Sequence, residues 1–573
     1  MEDTGVVGDD STSKLPEPIR HHIVSFLQPK EAARTSVLSK AWSSSWRTRP
    51  NLHFDYDEVS PMLRHANTQD LKKRRTDFIN CINTALQRYH ENEYGIDSLK
   101  LEINAFKFPS LAPDHVNAWL QIAAETGVKS LNICINDYYY CYPILPKAIF
   151  EATSLVELCL SGQSELEPEV IKMIRCHSLR KLCLVDVRLD EMMLEKILSS
   201  CPLIEVLEIS LCVGLANVKL SKLQELKECR IVLRNIGCVE IEAPGLKDFY
   251  CWNSIVRSYL RPLPPIRMYT CNNLKRLSLN DIGIKDEFFL GIAGNFPHLE
   301  ELAIQDCYHL QTIKISSHSI KIINLGFAVD RGFKEACIDV PSIVRFEYKG
   351  NFIPLFCFTA PSGPWVSDIE LSWHDRNILE TSFFSKLKEL LKELNRSEIS
   401  LKLIFPPSFE GFIEAETRNS AIHPLPQVQE LSISFNATDS LNVAHSILDG
   451  IFWTCRPKTM VQYCYHDLHF NVNCTNRAKV LFQMLMFRKN QKHSSWQKPK
   501  FWQKDLKDVK LEMFQKGKKV QQPQLSDWET FLKVIETEKR SYYLVFELEW
   551  QPFGMNRKRK RTRSLELGNN KIV

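Results

Sequence analysis

The densest grouping of side chains able to do chemistry is Cys464, His466, His469 and Cys474, in the stretch YCYHDLHFNVNC. Thiolate and imidazole are ligands that zinc favours, but structural zinc sites reuse a few short spacings and this cluster matches none of them. Histidines along a strand more commonly sit half-exposed on a sheet, so no metal is expected. Gly517-Lys518 lacks the upstream glycine and the following Ser or Thr of a phosphate loop, and neither a Gly-x-Ser-x-Gly elbow nor a dinucleotide fingerprint occurs. No catalytic residue and no cofactor are therefore expected. What remains to be placed are residues that could hold another macromolecule.

A repeat sets those residues out. The pattern apolar-x-x-apolar-x-apolar starts at Ile96, Val128, Leu155, Leu179, Ile204, Leu226, Leu246, Leu274, Leu299, Ile320, Ile343, Val366 and, after a gap, Val428. From Leu155 to Val366 the steps run from 20 residues (Leu226 to Leu246) to 28 (Leu246 to Leu274), the range of leucine-rich repeats. The segments VRLDEMMLEKILSSCPLIEVLEI and IGIKDEFFLGIAGNFPHLEELAI superpose, with Asp190 and Asp286 as helix starts; elsewhere turns such as APGLKDF and VPSIVRF replace the helix. In each Leu-x-Leu strand the leucines enter the core, and the residues before, between and after them project onto a concave face. That face is polar and mixed in sign, which suits a protein or peptide ligand better than a polyanion. Tyr250, Trp252, Arg276, Glu301, Arg345, Glu347 and Lys349 are the candidate contacts, aromatic and arginine side chains being the types that most often dominate binding. Any one of them is equally readable as the solvated side of a sheet.

The N-terminal stretch SKLPEPIRHHIVSFLQPKEAARTSVLSKAWSSSWRTRPNLHFD, Ser13 to Asp55, is organised differently. Ile19, Ile23, Phe26 and Leu27 form one stripe of a helix with prolines in its first turn. Pro29 opens a second short helix, and Ser39 can cap a third that carries Trp42 and Trp46 on one face. So small a module leaves apolar surface uncovered. This stretch resembles an F-box of the large plant F-box family, and cysteine-containing irregular repeats such as those around Cys212 and Cys307 are what usually follow it there. The resemblance implies a three-helix F-box that docks on a Skp-type adaptor and through it a cullin, with the repeats selecting an unknown protein substrate for ubiquitination. By position it makes Leu15, Pro16, Ile19, Ile23, Leu38 and Trp42 adaptor-facing, although periodicity cannot separate these from residues that close the module's own core. Ser13, Ala41, Ser43 and Ser45 depart from the family pattern. Receptors of this kind supply proximity rather than a catalytic group. A scaffold without ligase assembly and a basic-tailed nuclear binder are the alternatives.

The expected organisation is α/β: residues 1–12 as a disordered start, 13–55 the F-box, 56–95 a helical connector, 96–435 a curved leucine-rich-repeat solenoid, 436–550 a small α/β unit over its last repeat, and 551–573 a basic tail. The 573 residues carry a formal charge of +5, and six basic residues of Asn556–Arg563 account for it. Arg557, Lys558, Arg559, Lys560 and Arg561 read as a nuclear-import signal, so nucleus and/or cytoplasm is the expected location. Nucleic acid ranks lower, because no broad basic surface accompanies the tail. No signal peptide or membrane span is evident, and the 18 scattered cysteines are expected to be reduced thiols.

Overall fold

The computed structural model describes residues 11–27, 29–56, 68–104, 113–136, 147–162, 174–221, 223–234, 237–254, 264–307, 309–329, 332–359, 361–373, 382–405, 425–434, 441–464, 480–486, 501–515, 518–519 and 542–551. The basic tail and His466, His469 and Cys474 lie outside them. The chain divides into two units, Met1–Gly283 and Ile284–Val573.

The first unit begins with α1 (Glu17–Ser25), α2 (Pro29–Thr35) and α3 (Lys40–Arg47). Pro18 lies in the first turn of α1, where a missing N–H costs nothing. The Ser39 hydroxyl accepts from Trp42 N and starts α3. The chain then enters the first ladder strand directly: Asn51–Asp55 pairs in parallel with Ser98–Asn104. The repeat therefore starts at Asn51 rather than Ile96. Between these two strands lies α4 (Thr68–Glu91), the expected connector, with Phe78, Ile82, Leu86 and Tyr89 all buried. It packs against α5 (Pro113–Glu125), and Trp119 Nε1 donates to Asn83 Oδ1 across them at 2.6 Å.

From there the parallel ladder runs through Ser130–Asn136, Glu157–Ser161, Lys181–Val185, Val206–Ser210, Glu228–Leu233, Asp248–Asn253 and Arg276–Asn280. Alternation decides the faces. Leu158, Leu160, Leu182, Leu184, Leu207 and Ile209 are at most 2% exposed, while the residues between and beside them open to the other side. The residue that follows the strand is left-handed at Asp186, Leu211 and Asp281 (φ +57°, +55° and +57°); aspartate tolerates that region better than most side chains. Cys212 is buried, and its thiol donates to the Leu184 carbonyl at 3.3 Å, so a small apolar residue with a weak donor fits there.

Later repeats of this unit return not by a turn alone but by a second, shorter parallel ladder, Asn217–Leu220, Cys238–Glu242 and Ile266–Tyr269. Asp190 caps the helix Glu191–Ser200 by accepting from Met193 N at 2.8 Å. Glu191 reaches on to the second ladder, accepting from Ala216 N and Asn217 N.

The second unit repeats the plan. Its long ladder runs through Glu301–Gln305, Ile322–Phe327, Arg345–Gly350, Val366–Ser372, Glu398–Ile404, Gln427–Ser434 and Arg456–Cys464. Its short ladder is Thr312–Ser316, Glu335–Asp339 and Leu355–Phe358. Asp286 is not the cap that its alignment with Asp190 suggests. It makes no cap bond to the helix Glu287–Leu290; its carboxylate accepts instead from Gln311 N, Thr312 N and the Thr312 hydroxyl, the task Glu191 performs in the first unit. The Val366 repeat is read two residues late in the sequence. Register places Ser367, not Val366 or Ile369, beside Phe346, and Ser367, fully buried, is bonded to the Ser397 hydroxyl at 2.6 Å. The gap before Val428 holds one further repeat, the helix Phe383–Glu393 and the strand Glu398–Ile404. Nor does the ladder stop near Phe435, since Arg456–Cys464 continues it in parallel.

An uncovered strand edge invites unwanted pairing. Here Tyr542–Trp550 adds antiparallel to Arg456–Cys464, followed by Leu506–Gln515 and Lys518–Lys519. Arg456 fastens this closure through Asp505 at 2.9 Å and the Trp550 ring at 4.6 Å, and Trp550 Nε1 donates to the Pro457 carbonyl at 2.7 Å. Among the described residues no helix is long and apolar enough to cross a membrane.

The cap at Asp190 gives a direct test. Asp190→Ala should lower the unfolding free energy by about 1 kcal/mol, and Asp190→Asn should recover most of it. Denaturant midpoints of the three proteins measure this; equal midpoints would mean the bond contributes nothing.

Candidate functional site

The three N-terminal helices close on Val24, Ala32 and Trp42, with Leu27 and Trp46 packed against them. Trp42 is 4% exposed, and its Nε1 donates to the Thr12 hydroxyl at 3.2 Å. It is a core residue of the module rather than part of its surface, because α3 turns its tryptophans toward α1 and α2. Once Val24 and Leu27 face inward, the rest of the α1 stripe must face out. Ile19 and Ile23 are exposed on α1, Phe26 at its C-terminal cap, and Val37 and Leu38 on the turn after α2. Pro16 is exposed and Leu15 half-buried beside them. Phe26 and Val37 complete this apolar surface; the signal for both is that the two tryptophans already fill the inside of so small a module.

The departures from the family pattern are accommodated. Ser45 is fully buried and accepts from Arg20 Nε at 2.8 Å, while Ala41 and Ser43 are half-buried. At the base of the module the Arg49 guanidinium lies 3.4 Å over the Trp46 ring. Burial pushes Arg49 down to about 10 and Tyr89 up to about 12. Tyr89 donates to the Arg49 carbonyl at 2.6 Å, tying the module to α4.

The second surface is the open face of the long ladder. Strict register turns its projecting side chains into columns across successive strands. In the first unit one column reads His53, Lys100, Asn132, Cys159, Cys183, Glu208, Arg230, Tyr250 and Ser278, and the next includes Val185, Ser210, Val232, Trp252 and Asn280. Tyr250 and Trp252 thus lie side by side on one strand. Arg230 covers the Tyr250 ring at 4.6 Å, and burial pushes the Tyr250 hydroxyl up, so it remains a neutral donor. Trp252 is 39% exposed, an unusual state for so large an apolar side chain. Arg276, also exposed, is paired with Asp248 at 2.6 Å.

In the second unit Glu301 is half-buried on its strand and Lys349 is exposed. Arg345 bridges Glu347 at 2.8 Å and Asp368 at 2.6 Å, and Asn324 donates to Glu347 at 2.8 Å. Several charges on this face are therefore held by neighbouring side chains, and both signs are present. His53, Asp55 and Glu102 come within 4.8 Å of one another at the start of the ladder. Lys100 pairs with Glu102 at 2.7 Å and His53 hydrogen-bonds it at 3.2 Å, so that carboxylate is already engaged by its neighbours.

Two sequence families match these two regions. The F-box domain matches residues 12–54, which span the helical module and the first ladder strand. The leucine-rich-repeat domain of the At1g61320/AtMIF1 type matches residues 88–262. Among relatives, F-box/LRR-repeat protein 25 of Arabidopsis thaliana is 31% identical over 227 residues, 39% of this chain and 77% of that protein. The putative F-box/LRR-repeat protein At3g42770 of the same plant is 33% identical over 402 residues, 68% of this chain and 70% of that protein. With F-box/LRR-repeat protein At2g42720, also from Arabidopsis thaliana, identity is 31% and the alignment spans about half of that protein's length (52%). A module that closes on two tryptophans and opens an apolar face, followed by a leucine ladder and matched across most of two such relatives, places this chain in the plant F-box/leucine-rich-repeat family.

Proposed function

We propose that the chain is the substrate-recognition subunit of an SCF-type (Skp-cullin-F-box) ubiquitin ligase. The observation that carries this reading is the apolar exposure of the helical module: Ile19, Ile23 and Phe26, at helical spacing, and Val37 and Leu38 on the turn after α2 are all exposed on a module whose core is already closed by Val24, Ala32 and Trp42. So much exposed apolar surface on so small a module marks a docking surface, and a Skp-type adaptor, with a cullin behind it, is the partner the family supplies. The open face of the ladder then holds a protein substrate, with Tyr250, Trp252 and Arg276 as candidate contacts in the first unit and Glu301, Arg345, Glu347 and Lys349 in the second. The chain contributes no catalytic group to this scheme; it raises the local concentration of a substrate lysine near an enzyme carried by other subunits. The scaffold reading loses its motivation, because Ser45 is an internal hydrogen-bond partner and Ala41 and Ser43 leave the apolar surface intact. The Arg557–Arg561 tail is proposed to direct nuclear import, with cytoplasm as the other location.

Binding of the folded chain to a purified Skp-type adaptor tests the reading. Ile23→Asp combined with Leu38→Asp places two charges in the docking surface and should weaken binding about 100-fold or more, with circular dichroism unchanged. Unaltered affinity in the folded variant would remove this surface from the interface, and no binding by the unaltered chain to any adaptor isoform would defeat the receptor assignment. Trp42→Ala should behave differently. A buried aromatic is lost, costing the module about 3–5 kcal/mol, so adaptor binding should fall together with the near-ultraviolet signal of the folded module. Retention of that signal with loss of binding would instead make Trp42 a direct contact.

A further inference from the structure

Two neighbouring strands of the long ladder set cysteines opposite each other on the open face. Cys159 in Glu157–Ser161 and Cys183 in Lys181–Val185 are register partners. Facing positions on adjacent strands lie about 4.8 Å apart, inside the Cα separation that a disulfide spans. Cys159 is half-exposed and Cys183, 8% exposed, lies beside it.

Their surroundings differ from those of the core cysteines. Burial among apolar side chains pushes Cys176 up to about 11 and Cys201 and Cys212 up to about 12, which makes them inert. The facing Cys183 thiol, helped by the Lys181 ammonium, holds Cys159 below the usual thiol range, and the same pairing pushes Cys183 up. Cys159, the more accessible of the two, is thus the member placed to meet a reagent first.

We propose that Cys159 and Cys183 form a dithiol modification site, oxidised to a cross-strand disulfide by a small-molecule disulfide such as glutathione disulfide. Cys159 thiolate attacks one sulfur of the reagent, forming a mixed disulfide and expelling a first glutathione thiolate. That thiolate takes the Cys183 proton; Cys183 then attacks the Cys159 sulfur and expels the second glutathione, which leaves with a proton from water. Two protein thiols are oxidised and one glutathione disulfide is reduced to two thiols. The product replaces two thiols in the middle of a column on the recognition face, between Asn132 and Glu208.

A second register pair, Cys337 and Cys357, occupies the short ladder of the second unit. There the Cys337 thiol donates to the Glu335 carboxylate at 3.1 Å, which pushes it up to about 11. It has the same register with the Cys337 proton held by a carboxylate, and serves as an internal comparison.

The test equilibrates the full chain with reduced and oxidised glutathione over a series of ratios, traps free thiols with an alkylating agent, and maps the unreduced digest by mass spectrometry. The expected result is a cross-linked peptide pair joining Cys159 to Cys183, formed at a lower oxidised fraction than any Cys337–Cys357 link and reversed by dithiothreitol. Cys183→Ser should leave glutathione attached at Cys159, whereas Cys159→Ser should leave Cys183 unmodified. The proposal is overturned if Cys159 and Cys183 both carry the alkylating agent at ratios where Cys337 and Cys357 are linked, or if Cys159 of the unaltered chain stops at the glutathione adduct.

Discussion

The constraint on which the rest depends is the in-register parallel pairing of the long ladder. A parallel strand two residues out of step would turn no face over, but it would break the columns; a slip of one would put its leucines into water. Burial of Leu158, Leu160, Leu182 and Leu184 on adjacent strands fixes which face looks inward, and the register of the ladder fixes which polar residues become neighbours. The salt bridge of Arg345 with Asp368, the covering of Tyr250 by Arg230, and the opposition of Cys159 to Cys183 all follow from that register.

The helical module works by a related division. Trp42, Val24 and Ala32 make a core just sufficient to hold three short helices, and what is left outside is apolar because too little chain remains to cover it. That division separates two surfaces on one polypeptide. One is an apolar patch on helices; the other is a polar face on strands. Their chemistry differs enough that a partner suited to one is poorly suited to the other.

How far this was readable before the structure varies with the local signal. The F-box and most ladder strands were legible because many apolar positions recur at once. The first strand and the Glu398–Ile404 strand escaped because the apolar residue three places ahead of their Leu52-x-Phe54 and Ile399-x-Leu401 pairs is Arg49 in one and Arg396 in the other. The short back ladders escaped because strands of four or five residues, such as Asn217–Leu220, bury at most two side chains each and resemble turns. Trp42 could be placed on a helix face from spacing, yet only packing shows that this face looks inward. The likeness of Asp190 to Asp286 concealed different hydrogen-bond partners for the same reason: alignment gives position, not the donor a carboxylate will find.

The account rests on the separation of an adaptor-docking helical surface from the ladder's open face, and hydrogen exchange on the chain with and without a Skp-type adaptor tests it most directly. It predicts slowed amide exchange within residues 15–38, with the strands Glu157–Ser161, Asp248–Asn253 and Arg345–Gly350 unchanged and their face still free. Protection confined to those strands, with residues 15–38 exchanging as in the free chain, would contradict it.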